Sequence, residues 1–205
     1  MTEKTTLLKQ FPHASASDGR VRRSQRSGHA IVEALMELVG EGIIEPTAHQ
    51  VAKRAKVGVR TVFRRFSDME SLFAEMDARL QAHAVPLLFG GRPTGAPANR
   101  ARALVQQRVA LFERIAPFKR SGNLKRWRSP FLRDRHALLV RKLRADLLRW
   151  LPELRRAPAP IVDALELATS FEAWDRLRTE QRLGRDRAHA AVERAVLVLV
   201  KELRS

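Results

Sequence analysis

Apolar residues recur at three- and four-residue intervals through almost the whole chain, whereas the strict alternation of a half-buried strand is scarce. Ile31, Ala34, Leu35, Leu38 and Val39 form one stripe within residues 24–42, the core face of an amphipathic helix ended by Gly40 and Gly42. Thr47, after Pro46, predicts the N-cap of a short helix that buries Val51, Ala52 and Ala55. A second short helix after Gly58 buries Val62 and Phe63, and Phe66 closes it. From about Asp68 to His83 a longer helix turns Leu72, Phe73, Met76 and Leu80 inward. Further helices are predicted at 100–119, about 122–128, 130–151, 160–182 and 186–203. Between them lie breaks at Gly90–Pro97, Ser121-Gly122-Asn123, Ser129-Pro130, Arg155–Pro160 and Gly184. The fold class is all-α. Residues 1–20 mix Ser, Thr, Ala and Lys without a period, so a flexible tail is expected there.

Charge sharpens this picture. The 205 residues include 39 Lys and Arg against 22 Asp and Glu, a formal net charge of +17. Such an excess favours polyanionic partners, nucleic acid first and anionic membranes or acidic ligands after it. An Arg-rich composition with solvated helix faces is the plainer alternative. Most of the surplus lies beyond residue 85, and between Arg114 and Arg149 the only acids are Asp134 and Asp146. That stretch reads as a face for an anionic effector, as supplementary attraction to DNA, or as a solvated surface.

Several chemistries drop out. Without cysteine there are no disulfides, thiolate nucleophiles or Cys-ligated metals. No segment approaches the ~20 apolar residues of a membrane helix, and the opening MTEKTTLLKQ lacks the apolar core of a secretory signal. The expected location is cytoplasmic. Phosphate-binding glycine loops, H-E-x-x-H and G-x-S-x-G are absent, and the six histidines stand apart without metal-ligand spacing. Neither catalysis, a cofactor nor a bound metal is expected.

Two short helices joined by a tight turn fit helix-turn-helix geometry, which presents the second helix to the major groove of DNA. Small Ala52 and Ala55 allow close crossing, Val57 plugs the turn, and Val51 packs on Val62. Val59, Arg60, Thr61, Arg64 and Arg65 are left outward, suited to base edges and phosphates. The string TAHQVAKRAKVGVRTVFRRFSDMESLF, Thr47 to Phe73, resembles the TetR/AcrR family of bacterial transcriptional regulators, with the motif at 47–66. The match rests on Val51-Ala52 and Ala55, on Val57 in the turn, and on Phe66…Leu72. Ser170 to Val196 is similar to the dimerising last two helices of some members. Four positions depart from the family pattern: Lys56 stands for a usual Gly, Gly58 for a frequent Ser, Phe63 for a phosphate-contacting Tyr, and Met69 for a common Lys.

The resemblance implies a DNA-binding domain at 21–84 and a C-terminal effector-binding and dimerisation domain at 85–205. It implies that Thr47 caps its helix and offers hydroxyl and amide to a phosphate, and that Arg60 and Thr61 read base edges. His49, Lys56, Val59, Phe63, Arg64 and Arg65 join the expected interface, with Lys56, Arg64 and Arg65 making up lost charge. Arg20, Arg22, Arg23 and Arg26 precede the first helix and form either a solvated basic arm or a backbone or minor-groove contact. In the second domain, Phe112, Trp127, Phe131, Trp150 and Trp174 are nominated near an effector pocket, although any single aromatic is more often core than ligand wall. The expected partners are a double-stranded DNA operator, a second copy bound through the last two helices, and a small-molecule effector. The expected function is a ligand-released repressor on a palindromic site; a nonspecific basic nucleic-acid-binding or architectural protein is the alternative.

Overall fold

The computed structural model describes residues 16–88 and 90–204, with side chains over 25–82 and 90–203, and among these residues it is all-α. Helix α1 (Ala16–Gly40) buries Ile31, Val32, Ala34, Leu35, Leu38 and Val39. Residues 16–20, expected in the tail, are therefore helical, while 1–15 lie outside the described residues. After α1 ends, Gly42 takes φ 94°, a left-handed conformation open to glycine because it has no Cβ. The Gly42 N–H donates to the Val39 carbonyl and the Ile43 N–H to that of Leu38, both at 3.0 Å, which satisfies two orphan carbonyls in a Schellman closure.

Three helices complete the first half: α2 (Ala48–Arg54), α3 (Val59–Arg65) and α4 (Met69–Leu88). Their buried Val51, Ala52, Val62, Leu72, Phe73 and Met76 form one core with the α1 stripe. Arg54 ties α2 back to α1 through a bidentate pair with Glu41, 2.8 Å on each oxygen, and a bond to Glu37 at 3.2 Å.

The second half contains α5 (Pro97–Arg126), α6 (Pro130–Trp150), a 3-10 turn at Pro152–Arg156 and α7 (Ala159–Ala168). Then α8 (Phe171–Asp175) runs into a π turn at Arg176–Glu180, and α9 (Arg185–Lys201) ends in a 3-10 turn at Glu202–Arg204. Its core joins Leu104, Phe112, Leu147, Trp150, Phe171 and Trp174 to the Ala188, Val192, Val196 and Val200 ridge of α9. Phe112 meets Phe171 edge to face at 5.6 Å, and the Trp174 indole donates to Glu113 at 3.1 Å. One ion pair is fully enclosed: Arg108 reaches Asp146 at 3.2 Å and the Leu143 carbonyl at 2.6 Å, and Arg149 holds the other Asp146 oxygen at 2.9 Å.

Two expected boundaries are corrected. The predicted corner Ser121-Gly122-Asn123 lies inside α5, which also carries Pro117. An interior proline costs a helix about 3 kcal/mol, yet burial of Ile115, Ala116 and Ser121 around it holds the helix together. The Ser121 hydroxyl donates to the Ile44 carbonyl at 2.6 Å, so the far end of α5 is fastened to the α1–α2 loop. The single helix expected over 160–182 is instead broken at Thr169-Ser170. Thr169 turns its hydroxyl back to the Leu165 carbonyl at 2.8 Å, and Ser170 caps α8 by accepting from the Ala173 N–H at 3.1 Å.

Candidate nucleic-acid interface

The turn between α2 and α3 fixes how the second helix is presented. Thr47 and Gln50 form a capping box: the Thr47 N–H donates to Gln50 Oε1 at 2.8 Å, and the Gln50 N–H to the Thr47 hydroxyl at 3.3 Å. Thr47 is thus the N-cap expected, but its amide and hydroxyl are both engaged by Gln50, a partner that sequence reading missed. The Thr-x-x-Gln spacing was the available signal.

At the other end of α2 a second Schellman closure forms. Lys56 N–H donates to the Lys53 carbonyl at 3.3 Å and Val57 N–H to that of Ala52 at 3.0 Å. Lys56 occupies the left-handed position, φ 54°, that Gly42 fills after α1. For an L-residue this conformation costs about 1–2 kcal/mol. It leaves the Lys56 side chain exposed just before α3.

Helix α3 divides cleanly. Val62 is buried, and Val59 and Phe66 pack partly against the same core. Val59, expected outward, is accordingly turned toward that core. Phe63, expected among the buried residues of this helix, is 48% exposed. Phe63 lies one turn after Val59, about 40° round the helix from it at 100° per residue, at the edge of the inner stripe, and its exposed ring adjoins exposed Arg60 and Arg64. Arg65 is also exposed, with its guanidinium laid across Gly28 of α1; a Cβ on Gly28 would come within 2.7 Å of it. His49 is exposed on α2, and Thr61 is half-buried. The backbone of Arg22 and Arg23 is helical within α1, but their side chains, with that of Arg20, lie outside the described residues.

Behind this half lies a cavity of about 80 Å³ among α4, α5 and α6. Phe73, Met76 and Leu80 of α4, Ile115 and Phe118 of α5, and Leu132 and Leu139 of α6 give it apolar walls. Phe73 and Met76 are at the same time core residues of the helix-turn-helix half, and Phe118 packs against that core from α5. Polar groups stand among them. Asp77 accepts from Arg135 at 2.6 Å and from Gln81 at 2.9 Å, joining α4 to α6. Lys119 Nζ sits 3.0 Å from His136 Nδ1. Burial lowers the pKa of both groups, and for His136 the nearby Lys119 and Arg126 charges push the same way.

None of the five nominated aromatics lines this cavity. Phe112, Trp150 and Trp174 are buried in the C-terminal core, Trp127 is 76% exposed and stacked with Arg126, and Phe131 is half-buried beside Arg135. Trp150 packs beneath Gly91, whose Cβ would lie 3.2 Å from the ring.

Residues 31–76 match the family model of bacterial regulatory proteins, tetR family. No curated protein matches the sequence. Among solved structures, the chain is similar to a TetR transcriptional regulator from Rhodococcus sp. RHA1, at 19% identity and a TM-score of 0.50, covering 88% of this chain and 98% of that one. A TetR-family protein from Mesorhizobium loti MAFF303099 aligns at 16% identity and a TM-score of 0.48, over 89% of this chain and 95% of its own. The matched segment coincides with the helix-turn-helix core, and the solved fold extends over both halves. Residues 31–76 thus carry the DNA-binding segment of the tetR family of bacterial regulatory proteins, built as an N-terminal helix-turn-helix, and a C-terminal helical domain follows it.

Proposed function

We propose that this regulator binds a palindromic operator as a homodimer and is released from it, as a repressor, by a small molecule held among α4, α5 and α6. The exposed face of α3 supplies the reading groups. Arg60 has the fork for a bidentate bond to guanine, and the Phe63 ring offers apolar contact to a thymine methyl. Arg64 on that face and His49 and Lys56 beside it suit phosphates, as do Arg22 and Arg23 within α1. Thr61 and Arg65 lie at its margins. Its work on DNA fits a cytoplasmic location.

The dimer reading draws on α7 and α9. Leu167 is 67% exposed and Val198 45% exposed, and Ala195 and Ala191 stand exposed one and two turns before Val198. These apolar side chains suit burial against a second copy through the last helices. Two recognition helices would then sit about one DNA turn, roughly 34–36 Å, or a multiple of it apart. Leu167→Asp with Val198→Asp is expected to give a monomer by gel filtration with light scattering, and a dimer that survives both changes overturns the assignment.

One observation carries the effector reading: Phe73 and Met76 belong both to the cavity wall and to the core that seats α3. A ligand that repositions α4 therefore repositions the reading helix. The test is fluorescence anisotropy on DNA flanking the protein's own gene against scrambled DNA at near-physiological salt. A preference on the order of 10³ or more supports sequence-specific regulation. Equal affinities that fall together with salt would make the protein a nonspecific binder instead.

A further inference from the structure

We propose that the cavity among α4, α5 and α6 takes a compact apolar monocarboxylate, its carboxylate paired with Lys119 and its hydrocarbon body between Met76, Leu80, Phe118 and Leu139. The proposal deepens the effector reading above and rests on it for any consequence at DNA. Four cationic side chains line the cavity, Lys119, Arg126, Arg135 and Lys142, and the one carboxylate among its lining residues, Asp77, is already held by Arg135 and Gln81. Among the described residues no carboxylate lies within ion-pair distance of Lys119. Its hydrogen-bond partner is His136 Nδ1, an uncharged acceptor that uses one of three ammonium donors. Glu172, the other nearby acid, lies 4.0 Å from His136 on the exposed side.

An amine half-withdrawn from water with Glu172 and Asp77 acting on it only from beyond ion-pair distance is a costly arrangement that a directly paired anion relieves. A cationic ligand meets four like charges, and a neutral apolar one desolvates Lys119 further without compensation. A phosphate carries more charge and hydration than these apolar walls accommodate. Size points the same way: at ~10–15 Å³ per water-sized sphere, about 80 Å³ holds roughly six such groups, which suits a single ring or short chain rather than a nucleotide.

Benzoate and benzamide share a shape and differ in charge, which makes them the probes, with hexanoate and hexanamide as the aliphatic pair. Isothermal titration of the full chain is expected to show saturable binding of at least one carboxylate, about tenfold or more tighter than its amide. Lys119→Met keeps the length and apolar contacts of the side chain, and it should erase that preference while leaving the amide unaffected. The His136 ring signals should also report an upward shift of its pKa when the carboxylate binds. Equal binding of acid and amide, full carboxylate affinity in Lys119→Met, or no saturable binding of either acid would overturn the proposal. The DNA arm is separate: a carboxylate that binds through Lys119 yet leaves operator affinity unchanged upholds the ligand class and removes the effector role.

Discussion

Replacing Lys56 separates two effects that this residue combines, backbone strain and charge. It closes α2 at φ 54°, where the equivalent position after α1 is Gly42. An L-residue there costs about 1–2 kcal/mol, while glycine carries an entropic penalty of roughly 0.5–1 kcal/mol in a fixed conformation. Lys56→Gly should therefore stabilise the fold by roughly 0.5–1 kcal/mol. At about 2–4 °C per kcal/mol for a chain of this size, the melting temperature rises by about 1–4 °C. Lys56→Ala removes the same charge and keeps the Cβ, so it should bring no such gain. Thermal unfolding of the two variants by circular dichroism makes the comparison, and a glycine variant no more stable than the alanine variant refutes the strain argument. DNA binding supplies the other half. If the Lys56 ammonium neutralises a phosphate, both variants lower the slope of log affinity against log salt by about 0.9 per contact. In the glycine variant stability and affinity would then move in opposite directions. An unchanged slope would remove the phosphate role and leave the strain argument standing.

Three further outcomes follow from the interior. Asp146→Ala strands the Arg108 guanidinium, which burial already draws down to about 10 against the pull of Asp146; a loss of about 3–5 kcal/mol in urea unfolding is expected, and a smaller loss would mean that water reaches the site. His136 has a folded pKa below its ordinary 6.5, through burial and the Lys119 and Arg126 charges of α5, with Glu172 of α8 pulling the other way. The unfolded chain thus takes up the proton first, so stability falls as pH drops through 6.5 and levels off below the folded value; His136→Asn should flatten that part of the pH profile. Ser121→Ala leaves the Ile44 carbonyl without its 2.6 Å donor, which should cost about 1–3 kcal/mol in denaturant unfolding and loosen the α1–α2 loop in hydrogen exchange.

The first half of the molecule was legible because each of its signals is local. A Gly at the left-handed position, a Thr before a short helix and an apolar stripe of period 3.6 act within a few residues of themselves, and Ile31–Val39, Gly42 and Thr47 all behave as such signals require. Phe63 was harder, because it stands one turn after Val59 at the edge of the apolar stripe, where helical periodicity alone reads an aromatic as core, and only the packing of the helices leaves it 48% exposed. The break at Ser121-Gly122-Asn123 was expected from residues that commonly end helices, but the contact that holds α5 through them, Ser121 to Ile44, spans the two domains. The cavity was hidden for the same reason. Large aromatics pointed to Trp150 and Trp174, which pack the core, whereas the lining comes from Met, Leu and Phe on three helices whose approach no short window of sequence encodes.

The shared wall also limits how large the proposed response to a ligand can be. A ligand shifts an equilibrium only by the difference in its affinity for the two arrangements, and couplings between sites typically amount to about 1–3 kcal/mol, a factor of roughly 5–150. A small cavity leaves little room to exceed that range. A complete switch from 1:99 to 99:1 would need about 10⁴-fold preference, so release by a small molecule, as proposed, requires an unliganded chain close to balance between a DNA-binding and a released form. Besides Asp77 with Arg135, four contacts that join the halves are Phe118 on the first core, Ser121 on Ile44, Lys125 with Glu45 at 3.2 Å, and Ser129 with Glu70. Three of the four lie on α5, the helix that also carries Lys119. On the proposed mechanism a change at the seam that shifts this balance should move DNA affinity and ligand affinity in opposite directions without touching either ligand.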